Sequence, residues 1–435
     1  MDSLYRTAWR WHFYAGIVIL PVLVWLAVTG ALYLYKPEIE RLVYRDWIEL
    51  GAPVRPLPAD ALVERVERAT GAQVAQIARP ASTGDSWRMT LTVEDGSRRT
   101  AFVDPATGKV LGVTGDGGVM GTVRELHSLA ITGPVGNAVV EIVAGWTVIL
   151  VLTGFYLWWP RRGQRALALR GRPGERRFWR DFHASIGAIA GAVILFLAVT
   201  GMPWSVVWGG NLQRLVAANG LGRPEAPAAS GGTGGHGHHA PASPARETLP
   251  WSMQAAPAPH AHGVWDVGIA RVLEVAQGRG LAPPYSVGVP TRPGAPYLVS
   301  RTVSRAADAH LLYVEPATGR VLQDVRAADF GPGARAIEWG IYTHQGQTYG
   351  EANRLAMLAG CLSVLLLAAS APVLWWKRRR AGRLTAPPRP TDPARGRGLV
   401  AIMATFGVLF PLTGATMLAA GAADLLLRRR GRSSA

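Results

Sequence analysis

Five long apolar runs constrain this chain more than any other feature: Ala15 to Tyr35, Val135 to Trp159, Ile186 to Trp208, Leu355 to Trp376 and Leu399 to Ala420. Each holds about 20 residues almost free of charge, enough for a helix to cross a hydrocarbon core of about 30 Å. One such run can be a buried helix of a water-soluble domain; five in one chain of 435 residues point to a membrane. The hydrophobic fraction, 49%, is ordinary only because large polar segments dilute the runs. Glu141, near the start of the second run, is expected at the headgroup level. The first run is too long for a typical cleaved signal, and Tyr33 to Glu38 lacks a small-residue cleavage site, so an uncleaved signal-anchor is expected.

The net charge of +17 raises the question of nucleic acid, and the placement of the cations answers it. Arg161, Arg162, Arg165, Arg170, Arg172, Arg176, Arg177 and Arg180 crowd the link between the second and third runs. Lys377 to Arg380, Arg383, Arg389, Arg395 and Arg397 crowd the link between the fourth and fifth. Short basic loops mark the cytoplasmic side of a membrane protein, so no nucleic-acid partner is expected. The N-terminus, with Arg6 and Arg10, then lies inside as well. The resulting segments are transmembrane helices at 12–36, 134–160, 183–209, 354–377 and 399–425, basic cytoplasmic loops at 161–182 and 378–398, and outer domains at 38–126 and 210–345. Arg428 to Arg432 break the pattern if the fifth run crosses, because they would then land outside; either this helix is an exception to the rule or it does not fully cross. The one cysteine, Cys361, lies within the fourth run, so no intramolecular disulfide braces the outer domains.

The chain repeats itself. His12, Gly16 and Thr29-Gly30 recur as His183, Gly187 and Thr200-Gly201 with identical spacing. His127, Gly133, Thr153-Gly154 and Trp158-Trp159 recur as His344, Gly350, Ser370-Ala371 and Trp375-Trp376; the Thr-Gly pair is replaced but the frame is kept. Between the helices, Phe102-Val103-Asp104-Pro105-Ala106-Thr107-Gly108 corresponds to Tyr313-Val314-Glu315-Pro316-Ala317-Thr318-Gly319. An acid-Pro pair followed by Gly is a turn joining two strands. Upstream of each turn lie a helical pattern (Ala59 to Thr70, Asp266 to Gln277) and alternating stretches such as Trp87 to Val93 and Pro296 to Val303. Each outer domain therefore reads as one helix plus a small antiparallel sheet. The second also carries an insert, 226–262, whose Gly, Ala, Pro and His content predicts disorder. His236, His238, His239, His260 and His262 within it form a tract suited to weak, unselective metal binding. His310 is expected on the surface of a strand.

Four histidines stand at equivalent places: His12 and His183 at the inner start of the first and third helices, His127 and His344 at the outer start of the second and fourth. From His127 to Thr153 a continuous helix would run about 39 Å, longer than the hydrocarbon core, so Thr132-Gly133-Pro134 is expected to break it. Histidine near a bilayer is costly and tends to face the bundle interior. If the halves pack about a pseudo-two-fold axis, His12 faces His183 and His127 faces His344. Two imidazoles from facing helices, with Gly16 and Gly187 a turn away and no acid or thiolate beside them, favour a haem over a lone metal ion. Asp181 and Glu125, each two residues before a candidate ligand, are candidates to orient the rings or simple interfacial charges.

These motifs, with Glu125-Leu126-His127, Trp158-Trp159-Pro160-Arg161-Arg162, Arg180-Asp181-Phe182-His183, Thr343-His344 and Trp375-Trp376-Lys377, resemble the PepSY-associated transmembrane family, iron-regulated inner-membrane proteins that include ferric-siderophore reductases. The resemblance spans nearly the whole chain apart from the His-rich insert and the tail after Leu425. It implies a mainly α-helical membrane bundle, four core helices in two repeats plus a fifth, with two small α+β PepSY-like extracytoplasmic domains. It also implies two b-type haems, one on His12 and His183 at the cytoplasmic side and one on His127 and His344 at the periplasmic side. Electrons would then cross the bacterial inner membrane to a ferric siderophore or other ferric chelate and release Fe(II). With no Rossmann fingerprint or flavin motif in the sequence, a quinol or a protein is the expected donor. Two other classes stay open: a non-enzymatic PepSY-type regulator that binds a partner protein, which needs no paired histidines, and a copper or iron uptake accessory, for which the His-rich tract would be the entry site.

Overall fold

Proline and glycine set where the apolar runs become helices. The computed structural model describes residues 3–160, 167–219, 221–222, 249–254, 258–262, 266–378 and 404–433. The helices are α1 (Ser3–Tyr33), α2 (Lys36–Val43), α3 (Arg45–Ile48), α4 (Ala59–Thr70), α5 (Gly118–His127), α6 (Gly133–Trp158), α7 (Arg176–Gly201), α8 (Val207–Ala218), α9 (Trp251–Gln254), α10 (Gly268–Gly278), α11 (Pro332–His344), α12 (Gly350–Trp376) and α13 (Pro411–Ser433). The strands are β1 (Gln73–Arg79), β2 (Trp87–Thr92), β3 (Arg98–Val103), β4 (Val110–Gly115), β5 (Tyr285–Gly288), β6 (Tyr297–Arg301), β7 (His310–Val314) and β8 (Val321–Arg326). They form two compact units: a helical one (Met1–Leu34, Arg124–Leu212, His344–Ala435) and a sheet-bearing one (Tyr35–Val123, Gln213–Thr343).

In the helical unit, four helices are long and apolar enough to cross a membrane. Helix α1 packs on α6 and α12, and α7 packs on the same two, so the four form a ring with α1 and α7 on one diagonal. A 3₁₀ turn (Ala130–Thr132) and Gly133, at φ +73°, separate α5 from α6, so His127 lies outside the long helix. Gly350, at φ +63°, opens α12 in the same way after His344. At the ring's centre Ala27, Ala190, Ile194, Cys361 and Val364 pack together. Glu141 does not face headgroups: it is 1% exposed inside the unit.

The fifth apolar run is not one crossing. Residues 404–409 are helical, the backbone bends at Phe410, and α13 begins at Pro411. A Cβ on Gly414 would meet the Gly407 Cα at 2.3 Å, whereas seven residues of straight helix span about 10 Å, so the chain folds back on itself. Pro411 causes the bend: it has no N–H, and it pushes the residue before it out of helical geometry. Beyond the bend, Thr413 sits against Gly145, Trp146 Nε1 donates to Thr416 Oγ1 at 2.9 Å, and Met417 joins Ala15, Ile19 and Ile149. Helix α13 therefore runs alongside α6 in the same direction. The expected span 399–425 is corrected to a hairpin, of which 399–403 lie outside the described residues.

In the sheet unit, the strand order is β4-β3-β2-β1-β5-β6-β7-β8, antiparallel throughout. The two expected domains share this one sheet. Their junction is the pairing of β1 with β5, where Ile77 is opposite Val287 and Arg79 opposite Tyr285. Pairing removes two exposed strand edges. It also gives both halves one core, in which Leu62 and Val66 of α4, Val272 of α10, Ile77, Met89, Val287, Val299 and Leu312 are all buried. The duplication extends to fine detail: the ladder slips by one residue at Phe102/Val103 and again at Tyr313/Val314. Gly108 and Gly319, at φ +75° and +71°, close the two acid-Pro turns.

Two expectations for this unit change. Disorder over 226–262 does not hold for its end, because Leu249, Trp251, Met253 and Ala261 are buried, two of them against Leu298, Tyr313 and Phe330. Residues 223–248, with His236, His238 and His239, lie outside the described residues. His310 is buried, not superficial, and its Nε2 lies 2.9 Å from Asp324 Oδ1.

Candidate haem site

The four repeated histidines all belong to the helical unit. His12 on α1 and His183 on α7 come from diagonal helices and meet across the ring, their ring centres 6.3 Å apart and their planes at 84°. His127 and His344 close α5 and α11, just before α6 and α12.

One clamp holds all four rings. The Nδ1 of His127 lies 2.9 Å from Thr29 Oγ1, that of His12 lies 3.0 Å from Thr153 Oγ1, and that of His344 lies 2.9 Å from Thr200 Oγ1. The fourth, His183, has Ser370 Oγ at 2.7 Å. Each hydroxyl spends its own proton on the preceding helical turn: Thr29 on Trp25 O, Thr153 on Ile149 O, Thr200 on Phe196 O and Ser370 on Leu367 O. The hydroxyl is then an acceptor toward the ring, so each histidine carries its proton on Nδ1 and donates it. That assignment leaves Nε2 with a lone pair on every ring, the form in which imidazole binds a metal.

The glycine after each threonine has a matching reason. A Cβ on Gly30 would lie 3.2 Å from His127 Cε1, one on Gly154 would lie 3.3 Å from His12 Cε1, and one on Gly201 would lie 3.4 Å from His344 Cε1. The Thr-Gly pair is thus a seat for a ring edge: the threonine holds the nitrogen and the glycine lets the carbon approach. Ser370-Ala371 keeps the hydroxyl of that seat. Within each repeat the first and second long helices exchange partners, His12 with Thr153 and His127 with Thr29, then His183 with Ser370 and His344 with Thr200.

The acids near these histidines do other things. Asp181 is buried but takes Arg170 Nε at 2.8 Å and Arg180 Nη2 at 2.8 Å, and His183 Nδ1 is already held by Ser370. Thr29 likewise occupies the His127 nitrogen that Glu125 was a candidate to orient. Burial, with His127 close by, pushes His344 down to about 4, which keeps this imidazole neutral. Trp208 stacks on Phe410 at 6.3 Å. In the other unit the rings of His260 and His262 lie 5.0 Å apart, yet no group of three metal-ligating side chains occurs among the described residues.

The family of the PepSY-associated TM region matches residues 9–378, which takes in all four clamps and both halves of the sheet. The chain belongs to that family. No match was found among curated proteins. In this PepSY-associated TM protein the four membrane-capable helices and the family assignment agree on a multi-pass membrane protein.

The donor set of the PepSY-associated TM protein fits a haem. Each pair offers two imidazoles with no third ligand grouped with them among the described residues, although the Cys361 Sγ lies near His127, 3.8 Å from where a Gly30 Cβ would be. Two imidazoles suit an iron whose other four positions a macrocycle fills. A lone ion would call for further ligands of its own. The 6.3 Å between the His12 and His183 ring centres is the scale of two metal–imidazole bonds of about 2.0 Å plus the distance from each ring centre to its own nitrogen. At Gly16 and Gly187 there is room beside the axis: a Cβ would reach only Leu150 Cδ2 and Leu367 Cδ2, each at 3.9 Å.

Proposed function

We propose that this protein is a di-haem b reductase of the bacterial inner membrane that passes electrons to a ferric siderophore or other ferric chelate on the periplasmic side, where Fe(II) is released. His12 with His183, and His127 with His344, would hold the two haems. When bound, haem supplies one-electron redox chemistry. The chain's own part is to fix the rings, keep Nε2 available and exclude water. Thr153, Ser370, Thr29 and Thr200 fix the rings by accepting from Nδ1, which also raises the donor strength of Nε2. The buried cluster of Ala27, Ala190, Ile194, Cys361 and Val364 keeps the middle of the bundle dry.

What carries this reading is the fourfold recurrence of one clamp. A histidine placed only to cap a helix or meet a headgroup has no need of a fixed tautomer, and four of them would not share one. The basic sequence of the links at 161–182 and 378–398 supports a cytoplasmic N-terminus and a cytoplasmic His12 pair. The two half-sheets, each a helix over four antiparallel strands, would be the periplasmic PepSY-type domains. A quinol or a protein would supply the electrons.

An absorption spectrum of the purified, dithionite-reduced protein tests the proposal. Two low-spin b-type haems per chain are expected, with His12→Ala and His127→Ala each removing about one. A protein lacking the low-spin signal would sink the reductase reading, and retention of both haems in either variant would refute the ligands.

A further inference from the structure

Glu141 is a carboxylate in the first half of α6 and is buried inside the helical unit, where a charge is costly. Its two oxygens are treated unequally. Oε2 accepts the N–H groups of Val207, at 2.9 Å, and Trp208, at 3.2 Å, in the first turn of the 12-residue helix α8. Oε1 is buried and has no partner among the described residues. Two more buried oxygens in the same state lie along this side of α6: Asn137 Oδ1, one turn before Glu141, and Thr413 Oγ1, which faces Gly145 one turn after it. Residues 137, 141 and 145 share one helical face and extend over about 12 Å.

No charged side chain among the described residues balances Glu141. It makes no ion pair among them; α8 and the α13 hairpin bring Trp208, Phe410, Thr413 and Thr416 to this part of α6, while the charged residues of α1 (Arg6, Arg10) and α7 (Arg176, Arg177, Arg180, Asp181) all lie in the opening turns of those helices, on the side where His12 meets Thr153. The sole charged residue of α8, Arg214, comes two turns further on, and α6 itself has no other charged residue. An ionised carboxylate spreads its charge over both oxygens and would want donors on both. A carboxylic acid needs donors on only one oxygen, so it loses less than a carboxylate does when Oε1 has no donor beside it. A metal cation would instead gather several oxygens into one shell, and these three are strung out along the helix.

We propose that Glu141, held by the first turn of α8, is a proton-binding site inside the membrane-spanning bundle, and that Asn137 and Thr413 line the seam along which water carries the proton to and from it. The ligand is the proton itself, bound at Oε1. This goes beyond the reductase reading and does not depend on haem.

A lipid-soluble carbodiimide reacts with a carboxylic acid and not with a carboxylate. The full chain in lipid vesicles is treated with dicyclohexylcarbodiimide, and adducts are mapped by peptide mass spectrometry. The expected result is an adduct on Glu141 that declines as pH rises and is unaffected by sodium. The absence of an adduct at Glu141, labelling independent of pH, or protection by sodium at fixed pH would each overturn the proposal. A second measurement guards against limited reagent access: infrared difference spectra between two pH values should contain a carboxylic C=O band that shifts in D₂O and is missing in Glu141→Gln. A band that survives in Glu141→Gln also overturns it. Labelled protein that lacks haem would sink the reductase and keep this site; haem-loaded protein with neither label nor band would do the reverse.

Discussion

Thr29 Oγ1 lies 2.9 Å from His127 Nδ1 while its own proton is committed to the carbonyl of Trp25 at 2.7 Å. These two residues are 98 positions apart in the chain, and the pairing decides which nitrogen of the imidazole faces outward. Thr29→Val keeps the volume and removes the hydroxyl acceptor, leaving the His127 ring N–H to the Leu26 carbonyl alone. The expected outcome is haem affinity at the His127–His344 pair reduced by about 10–100-fold, the usual scale for losing such an outer partner. Thr29→Ser should restore it. Haem titration of the two variants checks the prediction, and equal affinity in both would remove the clamp from the argument.

The four histidines, their spacing and the duplication were all legible in the sequence. The clamp was not, although its parts were in view. His12 and Thr153 are 141 positions apart, and no local spacing rule connects them. The available signal was arithmetic: a hydroxyl residue falls in the same frame on each of four helices, including the one where Thr-Gly has become Ser-Ala. The shared sheet was also half visible. Strand β2 alternates buried and half-buried residues, but Val74 to Ile77 of β1 are buried in succession, so both faces of β1 are covered. The fifth run misled because hydropathy averages across Pro411, whose effect on the backbone is local and decisive.

A single core under both half-sheets should make them unfold together. Leu62 of α4 and Leu312 of β7 are both fully buried in it. Truncating either to alanine should cost about 2–5 kcal/mol. Hydrogen exchange should then rise in β1 and β5 in both variants, because their pairing joins the halves. If Leu312→Ala loosens β6, β7 and β8 while β1 to β4 stay protected, the halves are independent.

Glu315 gives the sheet unit an acid limit. The Thr318 hydroxyl donates to it, and with the His262 N–H and Arg320 nearby this outweighs its burial and holds the carboxyl below its ordinary value of 4.5. A folded value below the unfolded one means that the unfolded chain binds more protons between the two. The stabilisation is therefore complete above the ordinary value and is lost as pH falls through the folded one. Thermal unfolding of the full protein between neutral pH and pH about 3 should show this loss, and Glu315→Gln should flatten the acid limb. An unchanged pH profile in that variant would assign the acid sensitivity elsewhere.

The hairpin at Pro411 resolves the misplaced arginines. Helix α13 runs with α6 from the level of Glu141, where Phe410 meets Trp208, past Trp146 and on toward Ile149. From Thr413 to residue 428 is about 22 Å of helix, and from Gly145 to Trp158 about 20 Å, so both helices end at the same face of the bundle. That is the face from which α7 starts, so α13 ends on the same side of the bundle as Arg176 and Arg177, and we expect the positive-inside pattern to hold for this segment too. Cysteine accessibility tests this cleanly, because the native Cys361 is buried. A membrane-impermeant maleimide should reach a cysteine appended after Ala435 from the same side as Gly174→Cys, and Ser304→Cys in the sheet unit from the opposite side. If the appended cysteine labels with Ser304→Cys instead, the fifth segment crosses the membrane and the hairpin is wrong.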